Sequence, residues 1–260
     1  SDYTMDIPVA PGHYKMVAWT GLEDSHYSVS GLQEGVSKLK DLEVLLDRDS
    51  ENRQNDYLHP LWHGMLENVE IKKDVYSRYT MNMSKANNGF VLVLQDMKGG
   101  SIKGDTFTYE IVSANGRMAH DFSLVDDDKI SYGAYFVESA DLSDYDSAEP
   151  EENAEINLTV ARAELNTLRL MSDKSTRLII RERHTERLVL NIDLVQYILL
   201  TRERYEQKVG VKLTDQQYLD YEDSFSLMFV MMPTGSIVNP YAMVELRING
   251  WVVRSQSAEL

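Results

Sequence analysis

Between Tyr241 and Ser255 the chain alternates apolar and polar residues with a period of two: Val244, Leu246 and Ile248 against Glu245, Arg247 and Asn249. That is the period of a half-buried strand. After Asn249-Gly250 the apolar phase slips by one, to Trp251 and Val253. A two-residue hairpin explains the slip, because Asn-Gly suits a type I′ turn whose central residues both need positive φ. Ile248 is then expected opposite Trp251, and Leu246 opposite Val253. A β-bulge at Gly250 is the rival explanation.

The same period recurs through the chain. Pro11 to Trp19 reads as a turn feeding a strand that Gly21 ends, and Leu42, Val44 and Leu46 suggest a second. Asp47 to Tyr57 is charged, without an apolar anchor, and is expected to be a mobile loop. Val69 and Ile71, and then Tyr79, Met81 and Met83, alternate as further strands, and Phe90 to Leu94 is a fully apolar run suited to a sandwich interior. Asn115-Gly116 predicts a hairpin from Phe107 to Leu124 that sets Ile111 opposite His120, Tyr109 opposite Phe122 and Phe107 opposite Leu124. Ile130, Tyr132, Ala134 and Phe136 form one more alternating strand.

Past residue 155, strands are expected at Ile156–Val160, Leu178–Ile180, Leu188–Ile192 and Phe225–Met231. Leu194, Tyr197, Ile198 and Tyr205 share a helical face, with Gly210 as its stop. Thr214 to Gln217 has capping-box spacing and predicts a short helix through Tyr221. Strands at this spacing point to β-sandwiches rather than βαβ units.

Asp141 to Glu155 breaks the pattern with seven acids and little that is apolar. It reads as a linker, and the expected division is 1–146, an acidic linker at 147–154, and 155–260. A faint repeat, Met83-Ser84-Lys85 before one apolar run and Met171-Ser172-Asp173-Lys174 before another, fits two copies of one sandwich.

At 260 residues and 43% hydrophobic the chain can build a core of one large domain or two ordinary ones. Its 26 Lys+Arg against 42 Asp+Glu give a net charge of −16, which excludes a phosphate backbone as partner, so no nucleic acid is expected. With no cysteine there is no disulfide, thiolate metal site or cysteine nucleophile.

Candidate chemistry is sparse. His59 and His63 have a chelating separation, but Pro60 lies between them and no zincin Glu follows, so two loop or strand histidines are the expected reading. Asp141, Asp144 and Asp146 resemble a calcium loop without its glycine and closing Glu. No nucleophile elbow, phosphate loop or nucleotide fingerprint appears. Trp19, Trp62 and Trp251 sit in apolar strand contexts that favour core packing over sugar stacking. No enzyme activity, cofactor or metal is expected.

Three stretches carry a family resemblance: Pro11-Gly12-x-Tyr14 with Trp19 and the later Leu61-Trp62-x-Gly64; Tyr218-Leu219-Asp220; and Asn249-Gly250-Trp251. Together they resemble the anchor, or minor-subunit, family of Bacteroidales type V fimbriae. Position 221 is Tyr where Arg is common there. The resemblance implies a mainly β fold of two transthyretin-like β-sandwich domains in tandem with a few short helices. It implies a lipoprotein exposed on the outer membrane, held by an acyl group upstream of Ser1. It implies a fimbrial shaft subunit as partner, and a role in fastening the shaft and limiting its length through strand complementation. The segment around Tyr14 to Trp19 is then expected to be a first strand that the anchor keeps. The alternative is a surface polysaccharide-binding lipoprotein, whose partner would be a glycan.

Overall fold

The closing hairpin forms as the alternation predicts. In a computed structural model, which describes residues 4–23, 26–141, 159–236, 238 and 240–255, Tyr241–Ile248 and Trp251–Ser255 are antiparallel strands and Ile248 faces Trp251. Asn249 and Gly250 have φ of 49° and 80°, the two positive values of a type I′ turn. Leu246, however, faces Arg254 rather than Val253, because the register shifts beyond the pair of Arg247 and Val252.

The other strands, in chain order, are β1 (Gly12–Thr20), β2 (Tyr27–Val29), β3 (Glu43–Leu46), β4 (Arg53–Gln54), β5 (Trp62–Ile71), β6 (Ser84–Lys85), β7 (Asn87–Asp96), β8 (Phe107–Ser113), β9 (Arg117–Ala119), β10 (Ile130–Gly133), β11 (Phe136–Asp141), β12 (Thr159–Leu168), β13 (Arg177–Glu182), β14 (Leu188–Asp193) and β15 (Ser224–Pro233). The closing hairpin is β16 and β17. Helices α1 (Leu194–Leu199), α2 (Arg202–Val209) and α3 (Asp215–Tyr221) lie between β14 and β15. The fold is mainly β.

The strands sort into a six-stranded sheet of order β11-β12-β7-β15-β16-β17, a five-stranded sheet β14-β13-β8-β10-β4, and two three-stranded sheets, β1-β5-β6 and β2-β3-β9. β7 lies between β12, antiparallel, and β15, parallel. β8 lies between β10 and β13. Strands from before and after the acidic run therefore share both large sheets: they alternate from β11 to β15 in the six-stranded sheet and are grouped as β14-β13 and β8-β10-β4 in the five-stranded one. The acidic linker itself lies outside the described residues. One hydrophobic core runs through both groups, with Phe90, Leu92, Ile111, Leu178, Leu227 and Phe229 all buried.

Other expectations change for local physical reasons. Phe107 to Leu124 is not a hairpin: β8 pairs with β10 and β13, while β9 pairs with β3. Asn115 is buried, and its amide donates to the carbonyls of Leu168 and Arg169 at 3.0 and 3.1 Å while accepting from the Tyr132 hydroxyl at 2.7 Å. Tyr79 to Met83 forms no strand. The Met81 and Met83 thioethers lie over Gly64, where a Cβ would come within 2.7 and 2.5 Å of their sulfurs. The expected mobile loop at Asp47–Tyr57 is tied down: Arg48 holds Asp127 through two bonds of 2.7 and 3.0 Å, and β4 pairs with β10. The strand expected from Ile130 to Phe136 breaks between β10 and β11. The expected helix from Leu194 to Gln207 is interrupted at Leu200 and Thr201, and Gly210 stops α2 with φ 74°. Thr214 and Gln217 make the predicted capping box.

Candidate functional site

β1 runs antiparallel to β5 along almost its whole length, from Gly12 opposite Ile71 to Thr20 opposite Trp62. Its start is braced by the first motif. The Tyr14 ring turns back over Gly12, 3.4 Å from where a Cβ would sit, and its hydroxyl donates to the Ala10 carbonyl at 2.6 Å. Pro11 precedes this brace and is exposed. Its end is set by Gly21, whose φ of 94° and contact with the Pro60 carbonyl leave no room for a side chain.

Near that end Trp19 enters a ladder of stacked groups. Its ring lies 4.6 Å from that of His63 and 6.2 Å from that of Phe122. His63 and Phe122 stack at 4.9 Å with an interplanar angle of 3°. Gly64, opposite Ala18 in the register, follows His63 on β5. The Arg169 guanidinium lies over the Phe122 ring, 4.0 Å from its centroid, and donates to the Phe122 carbonyl. Arg169 then grips Asp220 of α3 through two bonds of 2.7 Å each. Gln216 steadies the same carboxylate at 3.0 Å and also donates to the Leu170 carbonyl.

The structure thus joins the first and second motif stretches. Tyr218 and Leu219 bury the inner face of α3, and the Tyr218 hydroxyl meets Thr201 Oγ1 at 2.7 Å where α1 gives way to α2. Asp220 on the same helix holds the ladder. The third stretch is separate from it. Asn249 exchanges two bonds of 2.8 Å with the backbone of Ser226, which docks the hairpin turn on the start of β15, and Trp251 is half-buried beyond Gly250.

The sequence does not point to three members of the ladder as a group: His63 is weighed there only as a chelating partner of His59 against a loop or strand histidine, Phe122 is placed in a hairpin that does not form, and Arg169 lies in no motif. Arg169 carried the one usable signal: a cation between Leu168 and Leu170, both buried, needs a partner. His63 Nε2 donates to the His120 carbonyl at 2.8 Å, so that nitrogen already has its partner. Among the described residues no three His, Asp or Glu side chains gather as a metal site. Asp144 and Asp146 lie outside the described residues.

Burial holds the His63 imidazole below its ordinary range, and the Arg169 charge pushes the same way against the opposing bond to His120 and the charge of Asp121. The unfolded chain takes up this proton near pH 6.5, whereas the folded chain resists it. Stability is therefore present above about pH 6.5 and falls as the pH drops below it, by at most about 1.4 kcal/mol per pH unit. Urea midpoints of the native chain and of His63→Gln across this range check the effect. The variant should show a shallower decline.

Comparison with known proteins gives the ladder a context. The family described as fimbrillin-A associated anchor proteins Mfa1 and Mfa2 matches residues 1–257. The chain belongs to this family of fimbrial anchors. It is 22% identical over 254 residues to the minor fimbrium anchoring subunit Mfa2 of Porphyromonas gingivalis, covering 96% of this chain and 68% of that protein. A candidate polysaccharide-binding protein of Bacteroides thetaiotaomicron is similar in structure, with a TM-score of 0.80 and 29% identity, covering all of this chain and 82% of the other. A candidate adhesin of the same organism matches with a TM-score of 0.81 at 27% identity, over 98% of this chain and 81% of the other. The structure of the P. gingivalis anchor Mfa2 shares the fold at a TM-score of 0.67 and 20% identity, over 95% of this chain and 78% of that one.

Proposed function

We propose that this chain is the anchoring subunit at the base of a fimbria. It fastens the shaft to the outer membrane as a lipoprotein, and it limits shaft length because it keeps its own first strand. Shaft subunits join when one supplies a strand to a sheet groove of the next, with backbone bonds setting register and alternate side chains filling pockets. A subunit whose groove stays filled ends the polymer. The observation that carries this reading is the hold on β1: a paired strand whose Trp19 is tied through His63, Phe122 and Arg169 to Asp220. The glycan-binding alternative asks instead for open, coplanar rings, whereas Trp19 is stacked within the ladder.

Deleting the chain up to Gly21 is the direct test. Cells carrying the shortened anchor are expected to display longer fimbriae, or shed them, when examined by electron microscopy. Fimbriae of unchanged length would sink the strand-retention reading.

A further inference from the structure

β17 ends the six-stranded sheet, and no strand lies beyond it among the described residues. Opposed residues of an antiparallel pair alternate between exchanging both backbone bonds and exchanging none. The tight turn closes on Ile248 and Trp251, so in the next pair, Arg247 and Val252, Val252 turns its backbone to the free edge. A contact from α2 agrees: Arg204 donates to the Val252 carbonyl at 3.0 Å.

Next to this edge is a cleft of about 380 Å³ lined by Gln196, Tyr197, Leu200, Val253 and Arg254. Leu200, in the break between α1 and α2, is 58% exposed there. Arg254 donates to the Tyr197 hydroxyl at 3.0 Å. Arg204 and Arg254 thus bond neutral oxygens, and neither meets a carboxylate among the described residues. They are two cations beside this edge without an ion-pair partner among the described residues, on a chain whose net charge is −16.

We propose that the outer edge of β17 receives an extended, acidic segment of the neighbouring fimbrial subunit as an added strand. The inference rests on the anchoring role above and supplies its contact surface. Three features define the occupant. The outward N–H and C=O of Val252 fit an extended backbone. The apolar walls of Tyr197, Leu200 and Val253 take one side chain of that strand. The two guanidinium groups fit carboxylates on it and disfavour a basic segment. In the unbound chain Arg204 covers the Val252 carbonyl, which keeps the edge from pairing indiscriminately. On binding, an incoming N–H takes the carbonyl and Arg204 turns to a carboxylate.

The test measures binding of the purified cognate shaft subunit to the full chain by interferometry. Val252→Pro removes the outward N–H and leaves the hairpin's own bonds in place. Arg204→Glu combined with Arg254→Glu reverses the charge at exposed positions and guards against a misfolded proline variant. Each is expected to weaken binding about tenfold or more with unchanged thermal midpoint, and the charge reversal should also flatten the salt dependence. Short peptides tiled along the shaft subunit should bind where they are acidic and alternating. Binding by the native chain that both variants retain would overturn the edge assignment and leave the anchoring role standing. Selection of basic peptides would overturn it in the same way. A native chain that does not bind the shaft subunit at all would sink both.

Discussion

Replacing Arg169 with alanine is expected to destabilise the chain by about 3 kcal/mol, and to loosen β1 before the rest. Arg169 and Asp220 are 12% and 23% exposed, so the substitution leaves a largely enclosed carboxylate with Gln216 as its remaining side-chain donor. Breaking a buried pair from one side costs about 3–5 kcal/mol, and this partial exposure argues for the lower end. The cation over Phe122 and the bond to its carbonyl are lost as well. For a chain of this size the thermal midpoint should fall by roughly 6–12 °C. Arg169→Ala with Asp220→Ala should cost less than the two single changes added together, because the second removes the orphaned charge. Hydrogen exchange should quicken on β1 and the start of β5. A midpoint within a degree of the native chain would show that the ladder contributes nothing.

Gly21→Ala should act on the same strand from its end. The backbone there has φ of 94°, and a Cβ would run into the Pro60 carbonyl, a main-chain atom that cannot rotate away. Left-handed strain of about 1–2 kcal/mol adds to that collision, for a total of roughly 3 kcal/mol. The cost falls on the turn that joins β1 to the body. Limited proteolysis should therefore cut the variant between Thr20 and the start of β2 while the large sheets stay intact. In cells the variant should lengthen fimbriae as the deletion does. Uniform resistance to protease would argue against it.

How much of this was legible depended on how local each cause was. The hairpin turn at Asn249-Gly250 lies between strands that pair with each other, so neighbouring residues sufficed to read it. The capping box at Thr214 is likewise contained within one helix turn. Asn115-Gly116 carries the same dipeptide, yet neither residue has positive φ. The Asn115 amide serves Leu168 and Arg169 more than fifty residues away, and nothing nearby announces that. The slip at Val253 and the use of Met81 and Met83 as cover for Gly64 depend on tertiary partners too. The site was half legible. Trp19 and Asp220 stood out by family resemblance, but the rungs between them come from β5, from the turn at Phe122 and from the residue after β12. Stacking across three separate parts of the chain leaves no period to detect.

The placing of β7 has a consequence for biogenesis. This strand, Asn87–Asp96, is flanked by β12 and β15, so both of its neighbours are made long after it. Such distant pairing closes slowly, since chain ends far apart must meet before any bond rewards them. A nascent chain that has not reached Pro233 cannot complete the six-stranded sheet. Until then β7 lacks its parallel neighbour, and the sheet closes only once the last strands, β15 to β17, have been made.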